Sequence, residues 1–200
     1  MDFEFFTMNP IALFFASIFT SNILMSNFLG MCSFISVSKD YKSSFGLGLA
    51  VTVVMTITAA VSWVVLYYVL VPLGLEYLSF IVFIIVIAAV VQILEMVIDR
   101  ASPALYLSLG IFLPLITVNC AILGAILFMQ IRQYGFIESV VFAAGSGLGW
   151  WLAIMLLAAI RGRVENNPVP AGLKGAGITM ITIGFMAMGF IGFSGMIAVQ

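Results

Sequence analysis

Cysteine occurs twice in this chain, as Cys32 in FLGMCSF and Cys120 in LITVNCAIL, and histidine does not occur at all. Each thiol has polar company in an otherwise apolar stretch. Ser21, Asn22, Ser26, Asn27 and Gly30 precede the first, and Pro114, Thr117 and Asn119 precede the second. A cysteine in such a setting is ordinarily a small filler. A disulfide between the two would tie the halves of the chain together but would leave the neighbouring amides and hydroxyls without a purpose. Metal ligation uses both features, because thiolates in an apolar medium need a cation, and iron–sulfur centres are held by cysteine sulfur and tuned by hydrogen bonds to it. Two thiols are half of what a two-iron cluster takes, so a partner would have to bring the rest. On the residues alone, filler, disulfide and half a metal site all stand.

A second candidate is acidic. In VVQILEMVID, Gln92, Glu95 and Asp99 fall at i, i+3 and i+7 and share one helical face. Counted from Ser79, Glu95 lies about 24 Å along a helix. A carboxylate at that depth in a membrane is costly unless it faces protein or water. It is therefore expected either to attract a cation or to reach the aqueous face and pair with Arg100. No residue set resembles a catalytic centre: there is no histidine base, and no G-x-G-x-x-G follows a strand.

The elements that position these residues are membrane helices. The chain is 64% hydrophobic and 8% charged, with a mean hydropathy of +1.28, which is the composition of an integral membrane protein. A net charge of −1 gives no footing for nucleic acid. The opening MDFEFFTMNP has neither a basic n-region nor a small-residue cleavage site, so the first apolar run is expected to remain as a spanning helix. Six apolar runs, at about 11–38, 45–71, 79–98, 104–131, 138–160 and 175–198, each reach the ~20 residues that a span requires. The connectors between them are short. An all-α protein of six spans in one polytopic domain, residues 1–200, is the expectation.

Threading six spans puts Lys39, Lys42, Arg100, Arg161, Arg163 and Lys174 at one end and Arg132 at the other. By the positive-inside rule the lysine-rich end is cytoplasmic, so both termini are expected outside, on the periplasmic side. Trp63, Tyr67, Tyr68, Tyr77 and Tyr134 then fall at the outer interface as an aromatic belt.

Runs one and four are about 28 residues long, or roughly 42 Å as straight helix against a hydrocarbon core of about 30 Å. A break is expected in each. Pro114 lacks an N–H and would leave the Gly110 carbonyl unpaired, which places the second break between Gly110 and Cys120, with Pro114 ending a half-helix. The broken runs hold equivalent places in the two halves. Three spans per half is an odd number, so repeats of approximately 1–100 and 101–200 would be inverted, with their breaks near the membrane midplane. Irregular backbone survives there only inside protein or along a cavity. The glycines of GSGLGWW and GFIGFSG read as close helix approach, the twelve methionines as packing, and NNPVPAGL as a turn-rich connector.

The runs LGIFLPLITVNCAILG, FLGMCSFISVSK, VVQILEM, ESVVFAAGSGLGWWLAI and GFMAMGFIGFSG resemble one membrane-subunit family over essentially the whole chain. It is the family shared by the bacterial sodium-translocating NADH:quinone oxidoreductases and the Rnf ion-pumping complexes. TVNCAI, ESVVF and GSGLGW side with the E-type branch of the quinone reductases rather than with the A-type branch of Rnf.

The resemblance implies six helices in inverted repeats, set in the inner membrane within a six-subunit complex. It also implies a homologous D-type partner of opposite orientation and a [2Fe-2S] centre held by two cysteines from each chain. Cys32 and Cys120 match those positions, with Pro114, Thr117 and Asn119 as surroundings. NADH, flavins and ubiquinone would be handled by other subunits and Na+ would be pumped outward, with Glu95 and Gln92 as candidates on its path. The competing readings are the A-type chain of an Rnf complex, a stand-alone inverted-repeat transporter, and a structural anchor with incidental thiols.

Overall fold

Lipid offers no hydrogen bonds to the backbone, so apolar runs in a membrane must satisfy themselves as helices or closed barrels. The computed structural model describes residues 9–101, 113–164 and 175–193, and no strand occurs among the described residues. The helices are α1 (Pro10–Ile18), α2 (Met31–Val37), α3 (Tyr41–Val65), α4 (Ser79–Ala101), α5 (Leu113–Thr117), α6 (Cys120–Ile131), α7 (Phe136–Val164) and α8 (Ala176–Ile191). A π-helical turn at Leu66–Leu70 and an α-turn at Val71–Leu73 prolong α3, and a 3-10 turn at Glu76–Leu78 leads into α4. Among the described residues three segments are long and apolar enough to cross a membrane: Tyr41–Leu73, Glu76–Val97 and Phe136–Val164.

Helix α7 is the centre of the assembly, packed along α3 on one side and α1 on another. Its GSGLG run explains how. A Cβ on Gly145 would run into Ser17 Oγ and the Phe14 carbonyl, one on Gly149 into the Ile18 carbonyl, and one on Gly147 into the Thr52 backbone. Gly145 and Gly149 form a small-xxx-small face for α1, while Gly147 faces α3. The expectation of close helix approach is met for the glycines of GSGLGWW but not for Gly189 of GFIGFSG, where a Cβ meets nothing within 4 Å.

These contacts also give directions. Phe14 and Ser17 lie at Gly145, and Ile18 and Asn22 lie at Gly149, so α1 runs parallel to α7. Trp63 Nε1 donates to the Tyr134 carbonyl at 3.0 Å, which joins the far end of α3 to the start of α7. Arg161 reaches Ser38, which joins the end of α7 to the start of α3. Lys39, Lys42, Arg161, Arg163 and, through the α3–α4 hairpin, Arg100 therefore share one end of the molecule, and Arg132 lies at the other. Lys174 is outside the described residues. At the Arg132 end Trp63 packs against Tyr67 and meets Phe136 edge-on, Arg132 donates to the Tyr134 hydroxyl, and Tyr68 and Tyr77 are exposed, an arrangement consistent with the expected aromatic belt.

Runs one and four are interrupted, as expected from their length. The first leaves the helix over residues 19–30. The second breaks at Val118–Asn119, within the expected interval, but the role given to Pro114 needs correction. Pro114 lies inside α5, which continues to Thr117. The described break comes where the Asn119 side chain offers the backbone an alternative partner; the segment before Leu113 is outside the described residues. Gly110 is outside the described residues.

Candidate metal centre

The first break is organised by one amide. Asn22 is buried; its Nδ2 donates to the Ile18 carbonyl at 2.9 Å and to the Gly149 carbonyl at 2.9 Å. Its Oδ1 accepts from the N–H of Leu24 and of Met25. A single side chain thus terminates α1, bridges to α7 and starts the following turns, which is the habit of asparagine where backbone groups are freed. Ser26 Oγ donates to the Asn22 carbonyl at 2.6 Å, and the Leu29 N–H closes the loop on the Ile23 carbonyl. The segment ends at Gly30, whose φ of 86° lies in the left-handed region that only glycine enters without strain.

The second break is an N-cap. Asn119 Oδ1 accepts from the Ala121 N–H at 3.1 Å, and α6 begins at Cys120. Asparagine at this position satisfies one of the orphan donors of a helix start. Cys120 is therefore the first residue of a 12-residue helix, at the end where the backbone dipoles leave a partial positive charge.

The two breaks meet at Gly30. Its N–H donates to Cys120 Sγ at 2.9 Å. A Cβ built on Gly30 would stand 2.6 Å from Trp150 Nε1, 3.0 Å from Ala121 Cβ and 3.1 Å from Asn119 Oδ1. Cys32 follows two residues later in the first turn of α2. Trp150 is the middle residue of α7, 14 residues from either end, or about 21 Å from each. The meeting point is therefore level with the middle of α7. Trp150 and Asn119 are both buried, and neither Trp150 Nε1 nor Asn119 Nδ2 has a hydrogen-bond partner. Buried donors are satisfied as a rule, so two orphan N–H groups on residues that pack around the Gly30 turn, whose own N–H meets Cys120 Sγ, make a site suited to an acceptor or a negative charge.

The structure thus brings Cys120, Asn119 and the Gly30 turn that leads to Cys32 together. Cys32 is exposed, Cys120 is half-buried, and both thiols are free, so the disulfide alternative does not hold here. Thr117 is half-buried at the end of α5. Glu95 is half-buried on α4, where Gln92 Nε2 donates to Glu95 Oε2 at 3.5 Å; the side chain of Asp99 is outside the described residues. Among the described residues no group of three or more His, Cys, Asp or Glu could hold a metal ion, so these residues offer at most a partial ligand set.

Two residues at the site escape a reading of the sequence by motif. Trp150 belongs to a glycine run that reads as packing, although a tryptophan at the middle of a span, away from the interfaces that tryptophan prefers, is a signal in its own right. Arg161 reads only as a topology marker. In the fold it is buried and donates to the Ile35 carbonyl at 3.1 Å and to Ser38 Oγ at 2.8 Å, holding the end of the short helix that carries Cys32. Nothing in the sequence distinguishes it from Arg163.

Residues 10–197 match the family described as "Rnf-Nqr subunit, membrane protein". The chain belongs to the Rnf-Nqr family. A relative from Proteus mirabilis (strain HI4320), named as the E subunit of a Na(+)-translocating NADH-quinone reductase, is 53% identical over 191 residues, covering 92% of this chain and 96% of the relative. The match covers both breaks and the α7 glycine run, so the meeting point described above lies within the Rnf-Nqr segment.

Proposed function

We propose that this chain is the E-type membrane subunit of a bacterial sodium-translocating NADH:quinone reductase, and that Cys32 and Cys120 are two of the four ligands of an intramembrane [2Fe-2S] centre. The relative's name supports the first part. The observation that carries the second is the meeting of both broken helices at Gly30, with its N–H on Cys120 Sγ at 2.9 Å. The residues present suit such a group: soft thiol ligands, a glycine cradle that a Cβ would fill, and buried unpaired N–H donors of the kind that stabilise anionic sulfur. When bound, the cluster would supply a one-electron relay at mid-depth.

The chain's own part is to hold and orient. Asn119 starts α6 so that Cys120 opens it, Asn22 fixes the turns leading to Gly30, and Arg161 anchors the end of the helix bearing Cys32. No base, hydride site or quinone site is needed in this chain, and NADH, flavins and quinone belong to other subunits. A homologous D-type chain, packed as the other half of an inverted assembly, would contribute the remaining two thiols. The directions of the described helices favour six alternating spans in two inverted repeats. The clustering of lysine and arginine at one end favours termini on the periplasmic side of the inner membrane. Glu95, with Gln92 beside it, is proposed as a sodium-attracting group near the inner mouth. Glu95→Gln should then raise the sodium concentration for half-maximal turnover while leaving iron content intact, and an unchanged sodium dependence removes it from the path.

The deciding experiment is purification in mild detergent of this chain by itself, and then with its homologous partner. Little iron is expected in the first preparation and a two-iron paramagnetic signal on reduction in the second. Cys32→Ser or Cys120→Ser should abolish that signal and stop electron flow to quinone, while NADH oxidation by an artificial acceptor persists. Full iron content and normal quinone reduction in the double variant overturn the proposal.

A further inference from the structure

The strongest unexplained feature is the indole of Trp150. It is fully buried at the middle of α7, its N–H is unpaired, and it stands against the backbone of Gly30, whose own N–H is on the Cys120 sulfur. Close packing alone does not require a tryptophan here. A phenylalanine fills an apolar gap without burying an unpaired donor, a burden that costs about 1–3 kcal/mol.

Trp151, the next residue, provides an internal comparison. Its N–H is also unpaired, but its ring lies over Gly48 of α3 and against Phe45, on another face of α7.

We infer that Trp150 is a positioning residue of the electron relay, whose indole N–H donates to sulfur at the Cys120 corner of the site and raises the potential at which the centre accepts its electron. The inference rests on the cluster reading given above. Accepting one electron forms and breaks no bond but adds one negative charge. A donor aimed at the sulfur therefore stabilises the reduced form more than the oxidised one. Asn119 Nδ2, the second unpaired donor at the same place, acts in the same sense.

The test is a redox titration of the purified holo-complex followed by paramagnetic resonance, with iron measured in every preparation. Trp150→Phe removes the donor and some volume. Replacing Trp150 with benzothienylalanine removes the donor alone and is the deciding variant, and Trp151→Phe is the control. The benzothienyl variant is expected to keep the melting temperature of the parent and to shift the reduced-to-oxidised ratio at fixed potential roughly tenfold towards oxidised, about 59 mV for a one-electron couple. Trp151→Phe should not shift it. In deuterated buffer the parent signal should lose an exchangeable proton coupling that the benzothienyl variant lacks from the start. An unshifted potential and an unchanged proton coupling in the iron-replete benzothienyl variant overturn the inference and leave the cluster reading intact. Absence of iron and of any signal in the parent complex overturns the cluster reading itself. If the shape-preserving variant folds but loses its iron, the N–H is needed to hold the centre and the inference stands in a stronger form.

Discussion

Replacing Gly30 by alanine tests whether the two breaks form one site. Two costs can be worked from the structure. At a φ of 86° an L-residue pays about 1–2 kcal/mol for the left-handed conformation. The added methyl would stand 2.6 Å from Trp150 Nε1, 3.0 Å from Ala121 Cβ and 3.1 Å from Asn119 Oδ1. Trp150 and Ala121 are both 0% exposed, so neither can swing aside. Overpacking of that kind costs about 1–3 kcal/mol, and the two terms together come to roughly 2–5 kcal/mol. The strain falls on the N–H that meets Cys120 Sγ, so the site suffers before the rest of the fold.

The assay is paired: thermal unfolding of the purified complex in detergent, and iron per complex. Gly184→Ala in α8 is the control, because a Cβ there meets nothing within 4 Å and alanine is the better helix former by about 1 kcal/mol. Gly30→Ala is expected to melt earlier and to lose most of its iron, while Gly184→Ala melts no earlier and keeps it. Equal behaviour of the two variants in both measurements would refute the reasoning, since it would mean that Gly30 has room and that its N–H does not matter.

Asn22→Ala removes four hydrogen bonds around the first break, at about 0.5–1.5 kcal/mol each, and should lower both melting temperature and iron content; an unchanged melt would show that the turns hold without it. Arg161→Met keeps an apolar stem but removes the donor to Ser38 Oγ and leaves the Ile35 carbonyl with Ser38 Oγ as its side-chain donor, so a loss of about 1–3 kcal/mol should appear in thermal unfolding, accompanied by faster alkylation of Cys32. Asp40 caps α3, and the hydrogen bonds from the Ser43 hydroxyl and N–H hold its carboxyl below the usual carboxylate range. A lowered folded-state value means that its contribution is present above the ordinary range and is lost as pH falls through the folded-state value; Asp40→Asn should flatten that part of the melting-temperature profile on acidification, and a parallel profile would assign the acid sensitivity to other groups.

The all-helical character and the interruption of runs one and four are legible in the sequence because lipid permits few backbone arrangements. A run too long for the hydrocarbon core, studded with asparagine and glycine, has to be interrupted. The position of the break is less legible. Proline points to residue 114, which in the fold is the second residue of α5, a helix that continues to Thr117. The side chain of Asn119, which can cap a new helix, decides where the chain restarts. The two thiols stand out by their placement. Gly30 as the contact between the breaks, the unpaired indole of Trp150 and the buried Arg161 all depend on side chains from distant spans, and periodicity along one segment carries no record of those.

The exposure of the two thiols bears on why the site is incomplete. Cys120 is half-buried behind the Gly30 turn, whereas Cys32 is exposed, and Phe28 and Val118, one in each break, are exposed as well, at 54% and 71%. At the level of the middle of α7 an exposed side chain faces either lipid or another protein. Phe28 and Val118 tolerate either, but a thiolate does not tolerate lipid, where an uncompensated charge costs several kcal/mol. Cys32 must therefore be a purely apolar filler or meet a cation that something outside this chain helps to hold. The buried N–H donors crowding the Cys120 side of the same turn have no use for the first arrangement, since a thiol is a weak acceptor. They suit the second, in which the exposed face of the break is an interface and the negative charge assembled there is shared with a partner protein.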